Sequence, residues 1–397
     1  MSEVAWSKVR SRFAFHQRDV RGVNAPLASA TKEGVLLRDD MDVAVWNPSS
    51  DVSNYKLVER DDFVIGLRSF QHGISHSKVR GIVSPAYTVL RGAESINPNF
   101  FKYYFRSSVF ISRLANLTQG IRQGQAIDIE AFSNLEIPIP SLSEQNRIAA
   151  FLDAETSRID SLVDSQLRTL RTLEERVDSQ ILELIGKSRL VDPFGKVSIP
   201  LRRMLRKLNR PTLRTGEVIT AFRDGQVTSR RIRRSEGYTL TVSAEPQGQG
   251  VLVGDVVIHG LDGFAGAIGD SETSGNCSPV YHVCTPINEG NPSFYGRLLR
   301  VLAVNNYLGL FAISTRERAV DLRSWDLLGG IPVPEVDCLL QHEIGSQIVG
   351  TRPLQKEVMR FNERIAERRQ ALITAAVTGQ IDVTTARGLS DVDGVKV

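Results

Sequence analysis

From Leu152 onward, positions spaced four and then three residues apart form a repeating series: Leu152, Thr156, Ile159, Val163, Gln166, Leu170, Leu173, Val177, Gln180 and Leu184. Seven of these ten are apolar, and charges such as Arg168, Arg171, Glu174, Glu175 and Asp178 fall off the stripe. A 3.5-residue period predicts a helix with a narrow seam of the coiled-coil kind. Ser141 with Glu144 reads as a capping box at its start, and only Gly186 interrupts the run of helix-compatible residues before about Ser188. The same rule applied further along gives Leu354, Val358, Phe361, Ile365, Arg368, Leu372 and Ala375. There Pro353 predicts a helix that restarts after a shorter helical piece from about Leu339 to Val349. A helix of some 45 residues is about 68 Å long. One compact domain of this size cannot bury such a seam, so each long helix is expected to pair with the other.

Outside the helices the pattern changes to short apolar runs cut by Gly, Pro and Asn, such as Phe63-Val64-Ile65-Gly66 and Asp255-Val256-Val257-Ile258, which predict strands and turns. These stretches are two copies of one plan. At a shift of 194 residues Asp61 and Gly66 fall on Asp255 and Gly260, Ser84-Pro85 and Tyr87 on Ser278-Pro279 and Tyr281, and Asn97-Pro98 and Phe100 on Asn291-Pro292 and Phe294. Arg122 then falls on Arg316, and Ile137-Pro138-Ile139-Pro140 on Ile331-Pro332-Val333-Pro334. Nearer the start the shift becomes 191, with Ala30 and Gly34 on Ala221 and Gly225. Several of the matched residues are Gly or Pro, whose backbone demands make chance agreement hard. Each copy predicts an α+β unit of roughly 140 residues, a normal domain size. If a pseudo-two-fold axis relates the copies, the helices run antiparallel and the two globular domains lie at opposite ends of the pair.

Composition narrows the chemistry. At 397 residues, 41% hydrophobic and 24% charged, the chain is expected to be soluble and multi-domain. No apolar run approaches a bilayer span and the first twenty residues lack a secretory pattern, so a cytoplasmic location is expected. Cys277, Cys284 and Cys338 form no C-x-x-C pair, which removes a disulfide framework and a structural zinc site. The net charge is only +4, but Val197 to Arg234 holds eleven basic residues against Glu217 and Asp224, a local polyanion-binding signal. No acid stands two residues before any lysine, which disfavours the common metal-dependent nuclease pattern. His72 and His76 have zinc-ligand spacing but lack the accompanying Glu, and no phosphate-binding glycine loop is present. Asn97-Pro98-Asn99-Phe100 and Asn291-Pro292-Ser293-Phe294 look like the loop with which amino-methyltransferases grip a flipped adenine. Both lack its second proline, however, and read as turns before helices.

With the repeat, the Ile/Val-Pro exits and the paired helices together, the chain resembles the specificity subunit of type I restriction-modification enzymes over nearly all its length. The residues that carry the resemblance are Gly81-Ile82-Val83-Ser84-Pro85-Ala86-Tyr87, Ile137-Pro138-Ile139-Pro140 with Glu144-Gln145 and Ile148, and Ile365 to Ile373 leading to Gly379-Gln380-Ile381. Gln341-His342-Glu343 departs from it, standing where the second copy should show Glu-Gln. The resemblance implies target recognition domains at residues 1–140 and 191–335, spacer helices at 141–190 and 336–382, and a flexible C-terminal tail at 383–397. It implies a non-catalytic protein that holds no cofactor, binds double-stranded DNA with a split target and docks methyltransferase subunits and, through them, ATP-dependent restriction subunits. Those partners would bring S-adenosylmethionine, ATP and magnesium. The expected DNA contacts are Arg68, Gln71, His72, Lys78 and Arg122 in the first copy and Arg223, Arg230, Arg231, Arg233, Arg234 and Arg316 in the second. The competing class is a protein scaffold that binds no DNA, its basic stretch a solvated face.

Overall fold

The apolar runs become strands because both of their faces are covered. In the computed structural model, which describes residues 6–41, 51–119, 126–187, 198–214, 216–233, 248–311 and 321–383, the chain divides into two units: Met1–Asp164 with Arg360–Val397, and Ser165–Met359. In the first, strands Phe15–Gln17, Thr88–Gly92, Phe63–Ile65 and Ser75–His76 form a four-stranded sheet in that order. Its pairs are antiparallel, with Phe15 opposite Gly92 and Phe63 opposite Leu90. Alternate residues then serve two cores. Phe15, Phe63, Ile65 and Leu90 join an aromatic cluster with Phe100, Phe101, Tyr104, Phe105 and Phe110. Val64 and Val89 face the other way, against Ala28, Val35, Val58 and Val83. Those last four come from the small pairs Ala28–Ala30 with Val35–Leu37 and Lys56–Val58 with Gly81–Val83. A sheet buried on both faces needs apolar residues at successive positions, as Phe63-Val64-Ile65 supplies.

The second unit repeats this order. Leu205–Lys207, Tyr281–Pro286, Val256–His259 and Ile268–Asp270 form its sheet, with Val256 and Ile258 in one core and Val257 and Val283 in another. Superposing the hydrogen bonds corrects one register. The buried carboxylate that accepts the Glu59 N–H is Asp62, not Asp61, and its counterpart accepting the Leu252 N–H is Asp255. Asp61, at φ 68°, therefore corresponds to Gly254, at φ 85°. The local shift is 193, and it returns to 194 because Val256–His259 is one residue longer than Phe63–Ile65.

The first long helix runs from Leu142 to Lys187. Ser141 Oγ accepts the Glu144 N–H at 3.3 Å as the capping pattern predicts. The reciprocal bond is absent, since Glu144 Oε1 accepts from the Trp6 indole at 3.0 Å. On the predicted stripe Leu152, Thr156 and Ile159 are buried in the first unit and Val177 in the second. Within the first unit Asp160 meets Arg369 of the second long helix at 2.9 Å; within the second, Gln355 of that helix donates to Glu174 at 2.7 Å. The second helix, Cys338–Val377, corrects the expected restart, because it is continuous through Pro353. The ring deletes one N–H donor, leaving the carbonyl of Val349 without its helical partner. Val349 is exposed, so water can satisfy that carbonyl, and Thr351 Oγ1 binds the neighbouring Ile348 carbonyl at 2.8 Å. No helix among the described residues is long and apolar enough to cross a membrane.

Candidate nucleic-acid interface

In the first unit a single turn, Ser69–His72, follows the central strand and presents three of the predicted contacts. Ser69 is buried, with its Oγ accepting the Gly66 N–H at 2.8 Å. Arg68, Gln71 and His72 are exposed on the turn. Gly73 closes it at φ 80°, where a Cβ would lie 2.1 Å from the Phe105 carbonyl oxygen, so no other residue fits there. Lys78 is exposed beyond the strand Ser75–His76 and is not part of this turn. His76 is buried against Phe63 and 3.1 Å from Asp61. Burial lowers its pKa more than the Asp61 carboxylate raises it, so the neutral ring is favoured. The His72/His76 spacing thus separates an exposed ring from a buried one. Arg122 lies outside the described residues.

The second unit builds its basic site from a turn and a helix. The Phe222 N–H donates to the Gln226 carbonyl across Arg223-Asp224-Gly225, with Gly225 at φ 92°. Arg230, Arg231 and Arg233 follow on Arg230–Arg233. Two of these arginines are already engaged. Arg223 lies 2.8 Å from Asp262, and Arg233 lies 2.6 Å from Asp224 with its guanidinium 4.3 Å from the Phe222 ring centre. Arg231 is exposed and Arg230 half-buried. Arg234 and Arg316 lie outside the described residues. The count of bases against acids included Asp224 but missed Asp262, because that acid arrives from a loop almost forty residues on. The signal available was its turn, Asp262-Gly263.

A further cluster escaped sequence reasoning because its members are far apart in the chain. Arg18, Arg80 and Arg91 gather on Glu59 and Asp62, with Arg18 2.7 Å from Glu59, Arg80 3.9 Å from Glu59 and Arg91 2.5 Å from Asp62. Desolvation pushes the buried Asp62 carboxyl up, against the pull of the Glu59 N–H and of Arg91. In the second unit Arg210 pairs with the matching Asp255, at 2.5 Å, and among the described residues no second arginine joins it. Three guanidiniums over two carboxylates leave one positive charge beside the first sheet. Phosphate oxygens can compete for half-exposed forks of this kind. Among the described residues no group of His, Cys, Asp or Glu could hold a metal ion.

Comparison with known proteins bears on this chemistry. Residues 50–166 match the family described as type I restriction modification DNA specificity domain. Over 123 residues the chain is 35% identical to the type I restriction enzyme StySPI specificity subunit of Salmonella potsdam, covering 30% of this chain and 26% of that protein. The match therefore spans about a quarter of the curated relative's length. A solved structure from work on complex assembly and conformational transition of the type I R-M system aligns over 95% of this chain and 98% of its own, with a TM-score of 0.59 at 15% identity. At that identity the likeness is one of fold.

Proposed function

We propose that this chain, a relative of the specificity subunits of type I restriction-modification enzymes, reads a bipartite DNA sequence and is itself non-catalytic. Each globular half reads one part of the target, and the long helices separate the halves as an antiparallel pair and dock methyltransferase subunits, through which restriction subunits join. Methyl transfer and strand cleavage, with the S-adenosylmethionine, ATP and magnesium they consume, belong to those partners. The observation that carries this reading is the pair of units with one strand order that present basic side chains on different turns of the shared frame. The first presents Arg68, Gln71 and His72; the second presents Arg223 backed by Arg231 and Arg233. One frame with two surfaces suits two half-sites. Docking is supported by large apolar side chains exposed on the helices, Leu162, Leu167 and Leu182 on the first and Leu339, Val349, Leu354 and Met359 on the second.

The test is to exchange residues 197–335 for the matching part of a relative and map methylated adenines in host DNA. One half of the motif should change and the other stay; both halves changing together would overturn the reading. A scaffold that binds no DNA is separated by salt. Removing the charges of Arg230, Arg231, Arg233 and Arg234 together should weaken DNA binding and flatten its dependence on ionic strength, which an apolar scaffold would not show.

A further inference from the structure

Buried amides are costly unless every polar atom is paired, yet each long helix carries a buried glutamine in its first turns. Gln145 is fully buried and Gln341 is 5% exposed. Gln145 Oε1 accepts the Asn97 N–H at 2.7 Å, while its Nε2 donates to the carbonyls of Ser95 at 2.9 Å and Pro140 at 3.0 Å. One side chain thus ties the helix start to the turn that opens the helix Pro98–Tyr104 of the globular part. Gln341 does the same in the other unit, accepting the Asn291 N–H at 3.1 Å and donating to the Val336 carbonyl at 2.8 Å. The shift between the two glutamines is 196, two more than in the body of the repeat, which is why Gln341-His342-Glu343 reads as a departure in sequence and as a match in structure.

The partners on either side agree. Asn97 caps its helix by accepting from Asn99 N–H at 2.7 Å and donates through Nδ2 to Asn146 Oδ1 at 2.5 Å. Asn291 caps by accepting from Phe294 N–H at 3.0 Å, and its Nδ2 lies 3.3 Å from His342 Nδ1. His342 Nε2 lies 3.0 Å from the Glu289 carbonyl, the counterpart of Ser95. One neutral tautomer, with the proton on Nε2, satisfies both contacts. His342 therefore replaces Asn146 and takes over one of the bonds that Gln145 makes in the first half.

We propose that Gln145 and Gln341, with Asn97, Asn146, Asn291 and His342, are positioning residues that fix the orientation of each globular half on its long helix and so the gap at which the two half-sites are read. Neither glutamine needs to touch DNA. The assignment rests on the bipartite reading, so wild-type methylation mapping comes first: absence of a split motif would defeat that reading, whereas the following outcomes address the lock alone.

The chain with its methyltransferase partners is assayed on duplexes carrying the mapped half-sites at the native gap and at gaps one base pair shorter and longer. Gln145→Met and Gln341→Met should keep both half-site sequences while preference for the native gap falls from at least tenfold to within about threefold. Amide exchange is followed in parallel, and the Asn97 or Asn291 N–H should lose protection while the strand amides keep theirs. A variant with that amide deprotected and gap preference intact would overturn the proposal. If a buried change prevents folding, His342→Ala removes two contacts of the second lock from an exposed position and should itself relax the gap; His342→Asn should restore discrimination. Equal discrimination in His342→Ala and the wild type would likewise overturn it.

Discussion

At the scale of single residues, ion pairing decides which predicted contacts are free to meet a phosphate. Arg223 is held by Asp262, and both side chains are well exposed, so the pair contributes little to stability but lowers the local positive field. Asp262→Asn should therefore leave folding nearly unchanged, tighten DNA binding several-fold at low salt and steepen its salt dependence; titrating one duplex against both proteins at two ionic strengths checks this. The cysteines allow a second test. Burial pushes the thiols of Cys277 and Cys284 up to about 12, leaving scarcely any thiolate at pH 8, whereas Cys338 is only half-buried. A maleimide reagent should label one thiol per chain in the native protein and three after denaturation. Two or more fast-reacting native thiols would contradict the buried placement of Cys277 and Cys284.

Among elements, the short segments are shaped by close approach of backbones. Gly73 ends the turn that carries Arg68, Gln71 and His72, and an added Cβ would strike the Phe105 carbonyl. Gly73→Ala should cost at least about 2 kcal/mol, combining the left-handed backbone penalty with the collision, and should weaken DNA binding by displacing the turn. Denaturant unfolding monitored beside DNA titration measures both. The elements themselves were largely legible in the sequence, because a stripe of period 3.5 and runs such as Phe63-Val64-Ile65 leave few alternatives. The repeat was legible because Gly and Pro mark positions where backbone geometry is demanding. What escaped depended on three-dimensional partners. Sequence could not say which of Asp61 and Asp62 turns inward, since that rests on the Glu59 N–H and Arg91. Nor could it show that an exposed Val349 lets the second helix pass through Pro353. The Arg18, Arg80 and Arg91 cluster and the Arg223–Asp262 pair likewise join residues that are remote in the chain.

For the whole molecule, the proposed spacer role makes a prediction about length. Val177, Ile181, Leu184 and Ile185 at the end of the first helix already pack into the core of the second unit. Residues added just before Gly186 therefore fall beyond the contacts that seat this helix in the second unit and should leave the gap in the DNA motif unchanged. Insertions that lengthen the separation belong instead at the boundaries of the two units, after Asp164 and after Met359, and they must keep the four-three stripe in both helices. Three heptads in each helix add about 32 Å at 1.5 Å per residue, close to one turn of DNA at roughly 34–36 Å. Two heptads, 14 residues, add about 21 Å and turn one reading surface towards the opposite side of the duplex. The 21-residue extension should thus recover binding, with the original half-sites and a gap about nine base pairs longer, while the 14-residue extension should bind neither gap well. Selection of bound duplexes from a pool with randomised gap lengths provides the measurement. An extended protein that still selects the original gap would leave the helices no part in measuring distance, and confine them to docking partners.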